Sequence, residues 1–481
     1  MRVVLFNPRA TRRSRKPRFP TGLGEVCAEL HGRFEYRIVD GNLRDAPPAI
    51  SSLLPKAKGK SVLGISVMPG FQAVGAISVS KEIKSRHAQV NIIWGGFFSS
   101  SYPRTILNSG YVDAVAVGQG TATFLETLSA LRTREIKELE IPGLMTRDEA
   151  NGFRFTPRPM GPMSSNEIPY HTFPMKEYLQ PTGIGKRTLY YASSMGCTQT
   201  CSFCGIKQVY GGARSWYRQP PELVEQQIRK VQAAYGADSV QFVDADQFAE
   251  EQWAFELLDR LSALQLAWRG YARVEFMFRQ KEDFWHWLKG TGCACLFLGA
   301  EGADADELFH MTKTVTVEQT LEVARHCREV EILPEFSYVI GSPRETADTL
   351  NATISSIRRL KRICPRSNVI IYFYSGPCRE SALSPAHSET ALEELVRGDN
   401  YNRMVWNSLQ HTSLEHRVVR RAVAFRRVLY SRFPKVTDVS RSTVAEWLSK
   451  TIAAWRYQLG VYGNPIELEC LDRLANISKI E

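Results

Sequence analysis

Long apolar runs are lacking, and cysteines with which the chain could cross-link itself are few. No apolar run among its 481 residues approaches the ~18 needed for a membrane-spanning helix. Its ten cysteines are too thinly spread for a disulfide framework. The opening MRVVLFNPRATRRSRK places a short apolar strand before a basic stretch, the reverse of a secretory signal. A cytoplasmic protein with reduced thiols is the expectation. Low-complexity tracts are missing too, and 43% hydrophobic with 23% charged residues excludes a disordered chain. At roughly 150 residues per domain, the length suggests about three domains.

Charge is unbalanced, with 61 Lys and Arg against 50 Asp and Glu, a net +11. That surplus is compatible with nucleic acid, an anionic substrate or a membrane surface. Arg12, Arg13, Arg15, Lys16 and Arg18 form one basic run, and Arg417, Arg420, Arg421, Arg426 and Arg427 another. No recognised RNA-binding module accompanies them, so nucleic acid is not the expected partner.

Over residues 1–135, short β-branched runs at 3–7, 36–40, 62–67, 90–95 and 112–117 alternate with amphipathic stretches such as 23–31, 71–86 and 122–131. Five β-α units predict a doubly wound parallel sheet of Rossmann-like type, whose ligand lies at the carboxyl ends of the strands. The residues there are small or polar: Asn7, Asn42, Ser66-Val67-Met68 with Gly70, Gly95-Gly96, and Gly118-Gln119-Gly120. Glycines in these turns serve either a close-lying ligand or ordinary turn chemistry. Residues 136–185 are rich in Pro and Gly with little periodicity and read as a linker or wrapping segment. From 186 to 385 the alternation resumes, with strands expected at 188–193, 240–244, 267–272, 293–300, 335–340 and 369–374. Six such units predict a partial (β/α)6 barrel with its chemistry on the loops after the strands. Residues 386–481 read as a helical, basic region rich in Trp and Tyr.

Cys197, Cys201 and Cys204, in GCTQTCSFCG, fall directly after the first barrel strand at Cx3Cx2C spacing. Zinc prefers four ligands, and no fourth Cys or His is near. A [4Fe–4S] cluster on three thiolates leaves one iron open for a small molecule, so an odd count makes chemical sense.

With Phe203, the triplet resembles the CxxxCxφC signature of the radical SAM enzymes. Their order of motifs is matched as well: Asp244 and Asp246 resemble the acidic motif after the second strand, Arg273 stands at a position where Arg is common, and LGAEG, containing Glu301, resembles the fourth-strand motif with Gly302 in place of Ser. GSPRET at 341–346 and YSGP at 374–377 resemble the turns after the fifth and sixth strands. With its preceding five-stranded domain, the chain resembles the cobalamin-dependent branch of that family over about the first 385 residues. Gln119 stands where Glu is common and Phe98 where His is common. The Asp-x-His-x-x-Gly motif is missing, and the first domain holds only His31 and His87. The related methylthiotransferases carry a second three-Cys cluster, whereas here only Cys27 precedes the triplet.

The resemblance implies S-adenosylmethionine (SAM) bound at the open iron, a 5′-deoxyadenosyl radical, and cobalamin held without a protein ligand on cobalt. It implies a methyltransferase acting on an unactivated carbon, or phosphorus, of a small metabolite through methylcobalamin. Oxidative cyclisation or rearrangement with the same cofactors is the alternative. An external electron donor such as flavodoxin or ferredoxin follows as a partner. Substrate-side residues are less legible. Alternation leaves open whether Tyr372 and Tyr374, or Ile371 and Phe373, face the barrel interior. Tyr338, Tyr372 and Cys378 are the catalytic candidates, with Glu335 a further one.

Overall fold

The computed structural model describes residues 1–11, 17–54, 60–148, 152–210, 215–374, 391–396, 416–434, 444–463 and 465–474. Cys378, the 375–377 turn and the basic residues 12–16 lie outside the described residues. Two α/β layers stand side by side. In the first, β1 (Arg2–Asn7), β2 (Tyr36–Asp40), β3 (Ser61–Ser66), β4 (Asn91–Gly95) and β5 (Ala114–Ala116) are parallel, in spatial order β2-β1-β3-β4-β5. That order has its switch point between β1 and β3, and a crevice opens beyond their carboxyl ends.

The segment expected to be a linker extends this sheet. β6 (Leu144–Asp148) pairs antiparallel with β5, and β7 (Gly152–Phe155) with β6. These strands are short and close on a glycine at positive φ, Gly152, so they carry almost no periodic signal. Among the described residues, 156–185 carry a β-bridge and short helical turns that pack between the two layers.

The second sheet is wholly parallel, in order β8 (Thr188–Tyr191), β11 (Ser239–Phe242), β12 (Ala267–Ala272), β13 (Cys293–Glu301), β14 (Leu333–Ile340) and β15 (Asn368–Phe373). β15 does not pair with β8, so the barrel is partial. Leu189, Val240, Trp268, Leu296, Phe336 and Ile371 point outward into the helix layer, within one hydrophobic core continuous with Val3, Leu23 and Tyr170 of the first layer. The helix Ala347–Ile363 covers β14 and starts from a capping box at Thr346.

Helix His416–Arg432 closes the exposed edge. The Ile371 N–H donates to the Tyr430 hydroxyl at 2.8 Å, and Arg426 stacks on Phe373 and Tyr430. An unpaired strand edge is thereby protected. Arg427 pairs with Glu469 at 3.0 Å, so these two arginines of the second basic run serve packing between helices. Among the described residues no helix is long and apolar enough to cross a membrane.

Candidate active site

The cysteine loop is clasped at its root. β9 (Ser194–Gly196) pairs antiparallel with β10 (Trp216–Arg218), so the loop of 197–215 leaves and returns through one short hairpin. Gly196 has φ +87°, and a Cβ there would lie 2.0 Å from the Ser215 carbonyl oxygen. Only glycine lets the strands close and the Cys197 N–H donate to that oxygen at 2.9 Å. Farther along, Ser202 anchors the loop to the barrel, its N–H on the Met311 carbonyl and its hydroxyl on the His310 carbonyl. Phe203 is half-buried in the loop.

The three thiols lie close enough to repel one another as thiolates. Burial pushes the Cys197 thiol up to about 11, and Asp246, Cys204 and Cys201 push the same way. A bare thiolate is therefore disfavoured, and positive metal is the charge that would stabilise it. Among the described residues no three His, Cys, Asp or Glu side chains are arranged to grip a single ion. In a cluster held by this triplet each thiolate would take a different iron.

Acidic groups converge beside the loop. Asp246 is buried, which raises its carboxyl to about 6 against the pull of the Phe248 N–H, Arg273 and Lys313. Glu301 ends β13 at a bulge, with φ +61°. Holding a non-glycine residue there costs of order 1–3 kcal/mol, strain characteristic of functional sites. Its carboxylate accepts from Ser337 at 3.2 Å and pairs with Lys313 at 3.0 Å. Gly299 makes room for it, since a Cβ there would lie 2.3 Å from the Glu301 carboxylate. Arg273 sits 3.7 Å from Glu275. Asp246 thus lies among Arg273, Lys313 and Glu275, and Lys313 links it to Glu301. Asp244 is different: its carboxylate takes the Ser193 N–H and hydroxyl at 3.2 and 2.8 Å, a buried structural tie. The GSPRET turn is likewise structural, with Gly341 at φ +84° donating to Glu345 and Thr346 capping the next helix.

In the first layer several expected ligand contacts prove to be internal. Asp40 receives the side-chain amides of Asn7 at 2.8 Å and Asn42 at 2.7 Å, together with the Tyr178 hydroxyl at 2.7 Å. Asn7 and Asn42 therefore order the crevice wall, and both are buried. Val67 has its side chain in the core. Gly96, at φ +95°, seats against the Val67 backbone, where a Cβ would approach to 2.9 Å. Gly118, at φ +79°, seats against the Val209 carbonyl. Gly70, also at positive φ, starts the helix Phe71–Arg86. Gln119 bridges to the connecting segment, accepting from Gly161 N–H and donating to the Pro162 carbonyl.

What remains open is a cradle. At Gly95 and Gly120 a Cβ would meet only Ala116, at 3.8 Å or more, and Ser66 and the exposed Met68 line the same edge. Such a floor fits the face of a large flat cofactor. Phe98 is fully buried against Tyr102, so no ligating group is offered there. His31 and His87 lie at the C-terminal ends of their helices, at the opposite edge of the sheet. The cradle and the cysteine loop touch: Phe97, just past Gly96, lies where a Cβ on Gly205 would come to 2.6 Å.

The barrel interior corrects one catalytic expectation. Tyr338 is fully buried and faces Ser356 on the outer helix, away from the lumen. Tyr372 lies on the inward face and is 39% exposed, while Ile371 and Phe373 point into the outer core. Glu335, three residues before Tyr338, is also inward and pairs with Arg269 at 2.6 Å. Lys313, Glu275, Phe97 and Arg269 escaped the sequence reading. Only Arg269 had a visible signal, a cation in the middle of a barrel strand.

Residues 191–357 match the radical SAM superfamily. An uncharacterized methyltransferase of Pyrococcus horikoshii is 25% identical over 351 residues, covering 71% of this chain and 73% of that protein. Cytidylyl-2-hydroxyethylphosphonate methyltransferase of Streptomyces wedmorensis is 23% identical over 393 residues, with the same coverage of 71% and 73%. Among solved structures, the radical SAM methyltransferase TsrM of Kitasatospora setae, with cobalamin and a [4Fe-4S] cluster bound, aligns with a TM-score of 0.60 at 19% identity, covering 78% of this chain and 74% of that one. The cobalamin-dependent enzyme OxsB, with aqua-cobalamin and SAM bound, aligns with a TM-score of 0.63 at 15% identity, covering 99% and 70%.

Proposed function

We propose that the chain is a radical SAM enzyme of the cobalamin-dependent branch, a methyltransferase acting on an unactivated carbon, or phosphorus, of a small molecule. One observation carries the reading: the glycine-floored cradle of the first sheet abuts the three-cysteine loop of the barrel, at Phe97 on Gly205 and Gly118 on Val209. Cys197, Cys201 and Cys204 would hold the cluster, and Asp246, Arg273 and Glu301 would hold SAM. Gly95, Gly120, Ser66 and Met68 would bed the cobalamin. Bound there, cluster and SAM supply hydrogen abstraction, and methylcobalamin supplies the methyl group.

The chain's own residues position and enclose. Lys313 neutralises Glu301 in a buried pair, so the mouth of the barrel presents a fixed hydrogen-bonding surface rather than a mobile charge. Helix His416–Arg432 seals the β15 edge against water. The second basic run gives Arg426 and Arg427 to packing, which favours a small molecule in the lumen over a nucleic acid on the surface. An external electron donor and a cytoplasmic setting belong to the same reading.

The test is anaerobic purification from cells supplied with cobalamin, cluster reconstitution, and assay of iron, cobalt and SAM products. Iron and cobalt retained together, with S-adenosylhomocysteine and 5′-deoxyadenosine both formed on turnover, are expected. Iron without cobalt overturns the methyltransferase reading, and 5′-deoxyadenosine alone points to cyclisation or rearrangement.

A further inference from the structure

Below the barrel mouth, the lumen holds a polar group that the mechanism above leaves unused. Arg269 on β12 directs Nε and one terminal nitrogen to Glu335 on β14, at 2.8 and 2.6 Å. The second oxygen of Glu335 accepts from the Asn368 side-chain amide at 2.9 Å. Glu335 is therefore fully engaged, while Nη1 of Arg269 has no oxygen or nitrogen acceptor, the Cys295 thiol of β13 being the further polar group beside the pair. The Arg269 side chain is 12% exposed. A guanidinium donor left unmatched in the lumen costs free energy that an anionic acceptor bound there would recover.

The walls around this donor are aromatic. Arg269 lies 5.1 Å from the Tyr271 ring and 5.5 Å from the Phe297 ring, and those two rings are 4.7 Å apart on neighbouring strands. Tyr372 faces them from β15 and interacts with both Tyr271 and Arg269. On the other flank, Arg18 lies 5.1 Å over the Tyr190 ring. The charged groups around Tyr190 are Arg18, Arg269 and Glu335, two cations against one anion. Four residues of strand, about 13 Å, separate Arg269 from Arg273 at the rim. A ring anchored at Arg269 would thus reach up toward the cysteine loop.

We propose that the lumen binds a planar aromatic carboxylate, its carboxylate drawn to the Arg269 guanidinium on the side of Arg18 and its ring against Tyr271, Phe297 and Tyr372. This rests on reading the lumen as the substrate chamber of the radical SAM barrel and narrows the substrate class of that site. Arg269 is then a specificity-determining residue: without it the ring still fits, but the preference for an anion is lost.

The test is equilibrium dialysis of the reconstituted full chain, without turnover, against three probes. They are 2-naphthoate, 2-naphthylmethylamine (same ring, opposite charge) and cyclohexanecarboxylate (same charge, no aromatic face). Naphthoate should bind at least about tenfold more tightly than either of the others. Arg269→Lys keeps a cation beside Glu335 but removes the fork, and should weaken naphthoate about tenfold while leaving the amine unchanged. Tyr372→Ala should weaken naphthoate and leave cyclohexanecarboxylate unchanged. Should Arg269→Lys lose iron or melt early, the double variant Arg269→Met with Glu335→Leu removes the whole ion pair without stranding a charge, and must abolish the same preference. Equal binding of all three probes, or a preference that survives these variants, overturns the proposal. Binding is read independently of methyl transfer, so a chain that lacks cobalt yet shows the preference refutes the methyltransferase and not this site. A chain with both metals and no preference does the converse.

Discussion

Gly196→Ala should empty the cysteine loop of iron while leaving both sheets folded. Gly196 combines φ +87° with a site where the new methyl carbon would lie 2.0 Å from the Ser215 oxygen and 3.0 Å from the Met160 methyl. The carbonyl is backbone and cannot swing aside, so β9 and β10 must part by more than an ångström. The left-handed backbone costs an alanine roughly 1–2 kcal/mol, and losing the Cys197 N–H bond to Ser215 about 1 kcal/mol more. Together that is about 3 kcal/mol, or roughly a hundredfold in the ratio of clasped to open loop. The hairpin is a separate two-stranded sheet, so the melting temperature of the whole chain should move little. Iron per chain after reconstitution, with the visible absorbance of the cluster, reads the effect directly. Gly22→Ala is the control, since its methyl would meet nothing within 4 Å. Full iron in Gly196→Ala would refute the view that the hairpin root organises the cluster loop.

Two further outcomes follow from the seam between the layers. Gly205→Ala drives a methyl to 2.6 Å from the Phe97 ring, so it should slow turnover at unchanged iron, and adding Phe97→Ala should restore part of the rate; strictly additive effects in that double-mutant cycle would argue against the contact. Glu25, buried at the same seam beside Gln219, has its carboxyl raised to about 7, chiefly by burial, against the Ser164 backbone hydrogen bond and helped by Glu29. The folded chain therefore holds this proton more tightly than the unfolded one, so its stability contribution is complete below about pH 4.5 and is lost as pH rises through 7. The denaturant midpoint should fall across that window, and Glu25→Gln should flatten the slope; an unchanged slope in the variant would assign it elsewhere.

Which features the sequence revealed depended on whether their causes were local. Helix Phe71–Arg86 appears at the expected residues, and Ala347–Ile363 starts from a capping box written in its own sequence. The cysteine triplet is local as well, since its spacing is its chemistry. Alternation set Tyr372 and Tyr374 against Ile371 and Phe373 on β15, and left both Glu335 and Tyr338 as candidates on β14, without saying which face was inward. That choice is made by the helix Ala347–Ile363 lying over Tyr338, a tertiary fact. Asn7 and Asn42 looked like ligand contacts because they lie at or just past strand ends at the crevice; Asp40 engages Asn42 from two residues away, but reaches Asn7 only when β1 and β2 are paired. Lys313 sits in an irregular turn after His310 with no pattern around it, and only folding brings it to Glu301.

The connecting segment shows why the two layers work as one. Tyr170, Phe173 and Tyr178 pack around Phe19, and Tyr178 reaches Asp40 on the crevice wall. From the same segment, Ile168 N–H donates to Gln227 on a barrel helix, and the Gly161 and Pro162 backbone is held by Gln119 at the cradle edge. Gln219 joins the two sides again, accepting from Tyr191 on the first barrel strand while donating toward Glu25 and Ser164. These ties, most of them buried or half-buried, are drawn from both sheets, so neither layer can tilt without breaking hydrogen bonds in the other. In the proposed reaction, a methyl group carried on one cofactor and a hydrogen abstracted at another must meet at one carbon, and an ångström of misalignment is costly to rate. A flexible tether would give proximity without orientation. The aromatic and amide-lined seam gives both, which is why a stretch that reads as aperiodic contains some of the most constrained side chains in the protein.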